Sequence, residues 1–248
     1  MNILSIGNSF SDDAHRYLHK VSRVHDKTNE LYTWNLMIGG CSLSMHHENM
    51  LQDNEKYELF VNGQTTRTRT SIKKALFALD WDVITFQQVS HESFKYESYN
   101  PYLAELVAYA REVRPSAKIF IQQTWAYLPD SERLSCMGFS THDDMYAAIS
   151  ETYAKVAKEL DVDALIPSGK TMQTLLKLGL KEIHRDQIHA NDIARFAIAL
   201  TWYQMLSGKD ISKTDFTHLD FDDCHTKKEI KLAKKASKIA IEKAAYVR

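Results

Sequence analysis

The sequence predicts an α/β domain built on a parallel sheet, and three observations predict it. Short apolar runs alternate with longer stretches of helical periodicity, which is the pattern of repeated βαβ units. Only 8 Gly and 4 Pro occur in 248 residues, too few for long disordered linkers or for a sandwich built on tight turns. The chain is 44% apolar and 25% charged, an ordinary balance for a globular protein. A domain of this size buries roughly three-quarters of its unfolded surface, so it needs neither disulfide nor metal to hold a core. No repeat or low-complexity tract divides the chain, and one domain over residues 1–248 is expected.

Five apolar runs read as strands, at 2–7, 33–38, 82–87, 118–124 and 162–167. Between them, apolar residues at helical spacing predict helices over 12–26, 43–55, 71–79, 100–113, 142–160 and 169–179. Two more close the chain, at 191–206 and 226–246. In the last, Ile230, Leu232, Ala236, Ile239 and Ile241 form a packing face while the lysines stay wet. The stretch 57–70 departs from this pattern. Glu58-Leu59-Phe60-Val61, then Asn62-Gly63, then 64–70 predict a hairpin with a type I′ turn, inserted near the sheet's carboxyl edge. Residues 126–142, with Pro129 and Gly138, read as a long loop, which in a compact domain is more often functional than idle.

A formal net charge of −1 gives no general affinity for nucleic acid or for an anionic membrane surface. No apolar run approaches the ~18 residues of a membrane span. Neither nucleic acid nor membrane is expected as a partner. Cys41, Cys136 and Cys224 stand at unrelated spacings without a CxxC pair, so free thiols are expected. Free thiols, and an opening that reads as a core strand rather than as a basic region before an apolar one, predict a cytoplasmic protein, or a secreted one if a signal segment has been trimmed. Neither GxxxxGK[ST] nor GxGxxG occurs, and no His/Cys/Asp/Glu cluster has ligand spacing, so no cofactor and no metal is expected. Nothing in the sequence fixes the oligomeric state.

Two short motifs carry chemistry. In Ile6-Gly7-Asn8-Ser9-Phe10-Ser11 a hydroxyl stands between the first strand and a helix, at the sheet edge where ligands bind in open α/β folds. A nucleophile there gains backbone N–H donors and a favourable dipole, whereas the plain alternative makes Ser9 or Ser11 a helix cap. Asp12 and Asp13 read as first-turn residues favoured by that dipole. The second motif is Arg185-Asp186-Gln187-Ile188-His189-Ala190-Asn191. An Asp three residues before a His lets one short loop present both side chains: the carboxylate holds the imidazole's tautomer and the far ring nitrogen takes the serine proton. Its plain alternative is a structural ion pair or helix cap. His184 competes with His189 but precedes the Asp, and His46-His47 reads as a surface or rim pair.

Together the motifs resemble the SGNH (GDSL-like) hydrolases, from the first strand to the His loop. The resemblance implies a three-layer α/β/α flavodoxin-like fold with a central parallel sheet of about five strands. It also implies a serine esterase with Ser9, Asp186 and His189 as its catalytic residues. Ile38-Gly39-Gly40-Cys41-Ser42 is similar to the family's glycine block, so the oxyanion hole is expected from the N–H groups of Ser9 and Gly40, with Gly39 as fallback. The opening Gly-Asp-Ser-Leu becomes Gly7-Asn8-Ser9-Phe10, a mild departure. The family's Gly-x-Asn-Asp block has no Asn here. Gln87-Gln88-Val89-Ser90-His91 instead resembles the block of the carbohydrate acetylesterase branch. That makes the Gln87 amide the expected side-chain donor, Gln88 the second choice, and Ser90 or His91 the choice on direct alignment. Gln88, His91 and Trp125 are expected to touch substrate, Trp125 beside Tyr127 in a polar and aromatic strand end that suits a sugar ring, with a plain core or interface Trp as the alternative. The expected partner is a small-molecule or carbohydrate ester, with acetate as the favoured acyl group. A lysophospholipase or thioesterase on the same fold is the alternative within the family, and a non-catalytic sugar- or nucleotide-binding module is the alternative outside it.

Overall fold

The central strands are buried almost end to end, so both faces of the sheet demand a covering layer of helices. The computed structural model, which describes residues 1–243, has that three-layer form. Its strands are β1 (Asn2–Gly7), β2 (Tyr32–Met37), β3 (Tyr57–Val61), β4 (Gln64–Thr70), β5 (Val83–Phe86), β6 (Lys118–Gln122) and β7 (Ala164–Ile166), in the order β4-β3-β2-β1-β5-β6-β7. Strands β2, β1, β5, β6 and β7 are parallel, and the chain reverses its direction of travel beside β1. Sites in open sheets form at such a switch point.

The sheet has seven strands, not about five. The hairpin forms as expected, with Asn62 and Gly63 both at positive φ (52° and 74°). It is not an insertion at the carboxyl edge, because β3 pairs antiparallel with β2, Trp34 opposite Val61 and Met37 opposite Glu58. That pairing satisfies the backbone groups β2 would otherwise leave open. A side chain at Gly63 would lie 2.7 Å from the His15 carbonyl oxygen, so the turn abuts the end of the first helix and must be glycine.

That helix, α1 (Ser9–His15), begins earlier than the spacing predicts, and the expected 12–26 helix is broken in two by α2 (Leu18–His25). The others are α3 (Leu43–Leu51), α4 (Ile72–Ala78), α5 (Tyr102–Val113), α6 (Glu132–Cys136), α7 (His142–Glu159), α8 (Ser168–Lys177), α9 (Asp192–Ser207) and α10 (Lys227–Glu242). Helix α6 lies within the expected 126–142 loop, started by the Ser131 hydroxyl, which accepts the Leu134 N–H. Capping boxes start α7 (Thr141 with Asp144) and α10 (Thr226 with Glu229). Positions 244–246 of the expected last helix lie outside the described residues.

Strand alternation divides the core in two. Ile3, Val83, Phe120, Ala164 and Ile166 pack toward α1, α2, α8, α9 and α10. Leu4, Ile84, Phe86, Ile119, Ile121 and Leu165 pack toward α3, α4, α5 and α7. One row on the first face is polar: Asn35, Ser5 and Thr85 are neighbours across β2, β1 and β5. Helix α1 docks there, with Ser11 Oγ donating to Asn35 Oδ1 (2.7 Å) and His15 Nε2 bonded to Ser5 Oγ (2.7 Å).

Candidate active site

The carboxyl ends of β1, β2 and β5, the loop before α6 and the loop before α9 enclose a cavity of about 550 Å³. Ser9 lies on it as the first residue of α1. Asn8 caps that helix, its Oδ1 accepting the Phe10 N–H, while its amide donates to the Cys41 carbonyl oxygen (3.0 Å). The two strand ends, β1 and β2, are thereby tied together under Ser9. Gly7 is required by close approach: a Cβ there would stand 2.6 Å from Ser11 Oγ and 3.2 Å from the Gln87 amide carbon. The Ser9 N–H is among those a helix start leaves without an intrahelical acceptor. Gly39 and Gly40 line the same cavity. The turn after β2 is closed by the Cys41 N–H on the Ile38 carbonyl oxygen, not by Gly40.

The His loop reaches this point from the far end of the chain. His189 Nε2 is 2.9 Å from Ser9 Oγ, and His189 Nδ1 is 2.8 Å from Asp186 Oδ2. The other carboxylate oxygen, Oδ1, accepts the N–H groups of Ile188 and His189, both at 2.7 Å. Partial burial pulls the Asp186 carboxyl upward. The N–H groups of His189 and Ile188 and the His189 ring outweigh it and bring the carboxyl down to about 2. An ionised carboxylate therefore faces one ring nitrogen and a hydroxyl faces the other.

The loop is braced from below and behind. Arg185 N–H donates to the His189 carbonyl oxygen, and Asn191 N–H to that of Ile183, closing the loop at its neck. Asp13, which has no exposed surface, takes the Ala190 N–H on Oδ2 (3.0 Å) and Arg185 and Arg195 on Oδ1 (2.6 and 2.8 Å). It sits on the same helix as Ser9, so one carboxylate joins the two halves of the site. The sequence offers no signal for this beyond the Asp itself, because its partners stand more than 170 positions away.

Three of the expected residues are not on the cavity. Gln87 is 2% exposed, and its amide nitrogen donates to Asn8 Oδ1 (2.5 Å), so it braces the cap rather than presenting a donor. Gln88 is fully buried and fully used: Oε1 accepts the N–H groups of Leu43 and Val89, and Nε2 donates to the Ser98 backbone and hydroxyl oxygens. Trp125 is also fully buried, stacked on Phe10 with ring centroids 4.1 Å apart. Its indole N–H donates to the Ile188 carbonyl oxygen (2.9 Å), so Trp125 is a floor beneath the His loop rather than a sugar platform. The residues that do reach the cavity from the β5 end are Val89, Ser90 and His91. Ser90 Oγ shares a hydrogen bond with the Tyr127 hydroxyl (2.9 Å), and Tyr127, Arg133, Met137 and Ile188 complete the wall.

The rival histidines are engaged elsewhere. His184 Nε2 bonds to the Ala126 carbonyl oxygen, and burial pushes its ring down to about 4. His46 is buried against Tyr57, and His47 pairs with Glu105 on the surface. Among the described residues no group of three or more His, Cys, Asp or Glu is placed to hold a metal ion. No helix among them is long and apolar enough to cross a membrane. All three cysteines are free, Cys41 buried and the other two exposed.

Comparison with known proteins bears on this arrangement. The family described as a domain of unknown function, DUF4886, matches residues 2–240. A crystal structure of a DUF4886 family protein from Bacteroides uniformis ATCC 8492 is similar at 30% identity with a TM-score of 0.91, covering 100% of this chain and 97% of that one. A proposed SGNH hydrolase from Slackia heliotrinireducens has 22% identity and a TM-score of 0.60, over 84% of this chain and 99% of its own. An acetyl xylan esterase shares 15% identity at a TM-score of 0.53, over 82% and 98%. None of the curated proteins matches the sequence. The structural neighbours show that the fold is the SGNH type, and the chain belongs to the DUF4886 family.

Proposed function

We propose that the protein is a serine ester hydrolase, with Ser9 as nucleophile, His189 as general base and acid, and Asp186 as the carboxylate that holds the imidazole. The observation that carries this reading is the linked chain of Ser9 Oγ, His189 and Asp186 at 2.9 and 2.8 Å, opening on a cavity at the sheet's switch point. His189 Nε2 takes the hydroxyl proton as Ser9 Oγ attacks the ester carbonyl, and Asp186 stabilises the imidazolium. The tetrahedral oxyanion is received by the N–H groups of Ser9 and Gly40, and the side-chain donor falls to the Ser90–His91 step, since Gln87 is committed to Asn8. His189 then protonates the departing alcohol. Water, deprotonated by the same imidazole, releases the acid and restores Ser9.

A short acyl group, acetate first, on a carbohydrate is the substrate class we favour. Polar Ser90, His91, Tyr127 and Arg133 line the cavity together with apolar Val89, Met137 and Ile188, a mixture that suits a ring with polar edges better than a lipid tail. The acetyl xylan esterase on the same fold acts on such a bond. A lysophospholipase would need a continuous apolar groove.

A fluorophosphonate probe tests the chemistry directly. Wild-type protein should be labelled on Ser9, and Ser9→Ala should lose labelling and on the order of 10⁴-fold or more of its p-nitrophenyl acetate turnover. Folded wild-type protein that resists the probe and turns over no ester would leave the binding-module reading in its place. Faster turnover of octanoyl than of acetyl p-nitrophenyl ester would move the substrate class to lipids.

A further inference from the structure

Arg133 differs from the arginines that serve the framework. Arg16, Arg23, Arg114, Arg185 and Arg195 each pair with a carboxylate. The exposed Arg133 guanidinium has no hydrogen-bond or ion-pair partner among the described residues, yet its residue lines the Ser9 cavity. Its backbone is held in place: the Arg133 N–H donates to Gln187 Oε1 (3.0 Å), and the Leu128 N–H to the Gln187 carbonyl oxygen (2.9 Å). Gln187 stands between Asp186 and His189, so α6 is fastened to the loop that carries the base. No carboxylate lines the cavity to neutralise the guanidinium. The acidic neighbours of Arg133 in sequence, Asp130 and Glu132, are exposed and form no ion pair with it among the described residues, and Asp186 is spent on the His189 ring and two N–H groups. A free guanidinium fork beside a reaction site matches a carboxylate, which it can hold through two parallel N–H bonds. A phosphate would bring close to a second charge, and no lysine lines the cavity to share it.

We infer that the substrate carries a carboxylate in addition to its ester, and that Arg133 receives it. On a carbohydrate this is an acylated acidic sugar. The inference rests on the hydrolase reading, but it has its own test. Two ester pairs separate the side on which the charge lies. The first is 4-acetoxybenzoate against its methyl ester, with the charge on the alcohol. The second is mono-4-nitrophenyl glutarate against 4-nitrophenyl methyl glutarate, with the charge on the acyl group. In wild-type protein one pair should favour its anionic member by roughly tenfold in kcat/KM, the scale of one charge-assisted contact at a partly wet site. In Arg133→Gln that ratio should fall to near unity, carried mainly by KM, and Arg133→Lys should restore part of it. Equal rates within both pairs in wild-type protein would overturn the inference while leaving the hydrolase reading intact, as would a preference that survives Arg133→Gln. Failure of all four esters, with no fluorophosphonate labelling, would instead bring down the hydrolase reading and this inference with it.

Discussion

Two serine–histidine pairs lie within hydrogen-bond distance among the described residues, and their surroundings differ. Ser5 and His15 are 2.7 Å apart, closer than Ser9 and His189, yet both are about 1% exposed and Ser5 also accepts the Thr85 hydroxyl proton. His15 Nδ1 has no partner, and burial pushes the ring down to about 3, so that imidazole has no carboxylate to stabilise its charged form. His189 has Asp186 behind it and a cavity in front. The two imidazoles therefore differ at the second ring nitrogen, and the proposed role of His189 as base rests on that difference. Asp186→Asn tests this, because the amide oxygen can still accept the Ile188 and His189 N–H groups while the charge is lost. Turnover should drop on the order of 10³- to 10⁴-fold. Slow fluorophosphonate labelling should persist, unlike in Ser9→Ala. Because the folded carboxyl titrates at about 2, below its ordinary 3.8, Asp186 is charged throughout the range above about pH 3. Any loss of activity at mildly acidic pH must come from another group. An Asp186→Asn enzyme with wild-type kcat would sink the assigned role.

At the scale of elements, the site depends on how a loop near residue 189 is registered against a helix beginning at residue 9. Asp13 sets that register through the Ala190 N–H and two arginines. Asp13→Asn preserves an acceptor for Ala190 but takes from Arg185 and Arg195 the buried carboxylate that both bind. We expect kcat to fall roughly 10- to 100-fold, as small misplacements of a catalytic group do, with a smaller change in KM. A lower melting temperature with unchanged kcat would make Asp13 a packing residue only. Local contacts can be read from sequence, whereas long-range ones of this kind cannot. Gly7, Ser9, Asp186 and His189 are legible because their motifs are local: a strand end, a turn, a three-residue spacing. The β3–β4 hairpin is legible for the same reason, through Asn62-Gly63. What β3 would pair with, and whether Gln87, Gln88 and Trp125 point into the cavity or beneath it, depend on contacts across the sheet. Gln87 and Gln88 follow β5, where side chains alternate in direction, and the spacing alone cannot say which one meets substrate. Asp13 was legible only as a charge near a helix start, since both arginines that define it arrive from the far end of the chain.

Over the whole molecule, three buried histidines, of which His15 belongs to the polar row that seats α1, have a consequence for stability. His15, His46 and His184 each keep one ring nitrogen without a partner among the described residues, so a second proton on any of them would be buried unpaired. Burial accordingly pushes His15 and His46 down to about 3 and His184 to about 4. In the unfolded chain the same rings take up a proton near pH 6.5. Between those values the unfolded state binds more protons than the folded state, so the stability these histidines contribute is complete above about pH 6.5 and is lost as the pH falls toward 3–4. In the unfolded chain the carboxylates are already ionised above about pH 5, so its proton uptake between about pH 7 and 5 is mainly by histidine. Urea unfolding at pH 7.5 and 5.0 should therefore differ by a few kcal/mol, on the order of 1–2 kcal/mol for each ring. His46→Gln, which can keep a bond to Tyr57 without a titratable ring, should make the dependence shallower even where it lowers stability at pH 7.5. A midpoint that does not move between the two pH values would mean that these rings are already protonated in the fold, and that the polar row beneath α1 holds water or charge that the packing around Ser5 and His15 leaves no room for.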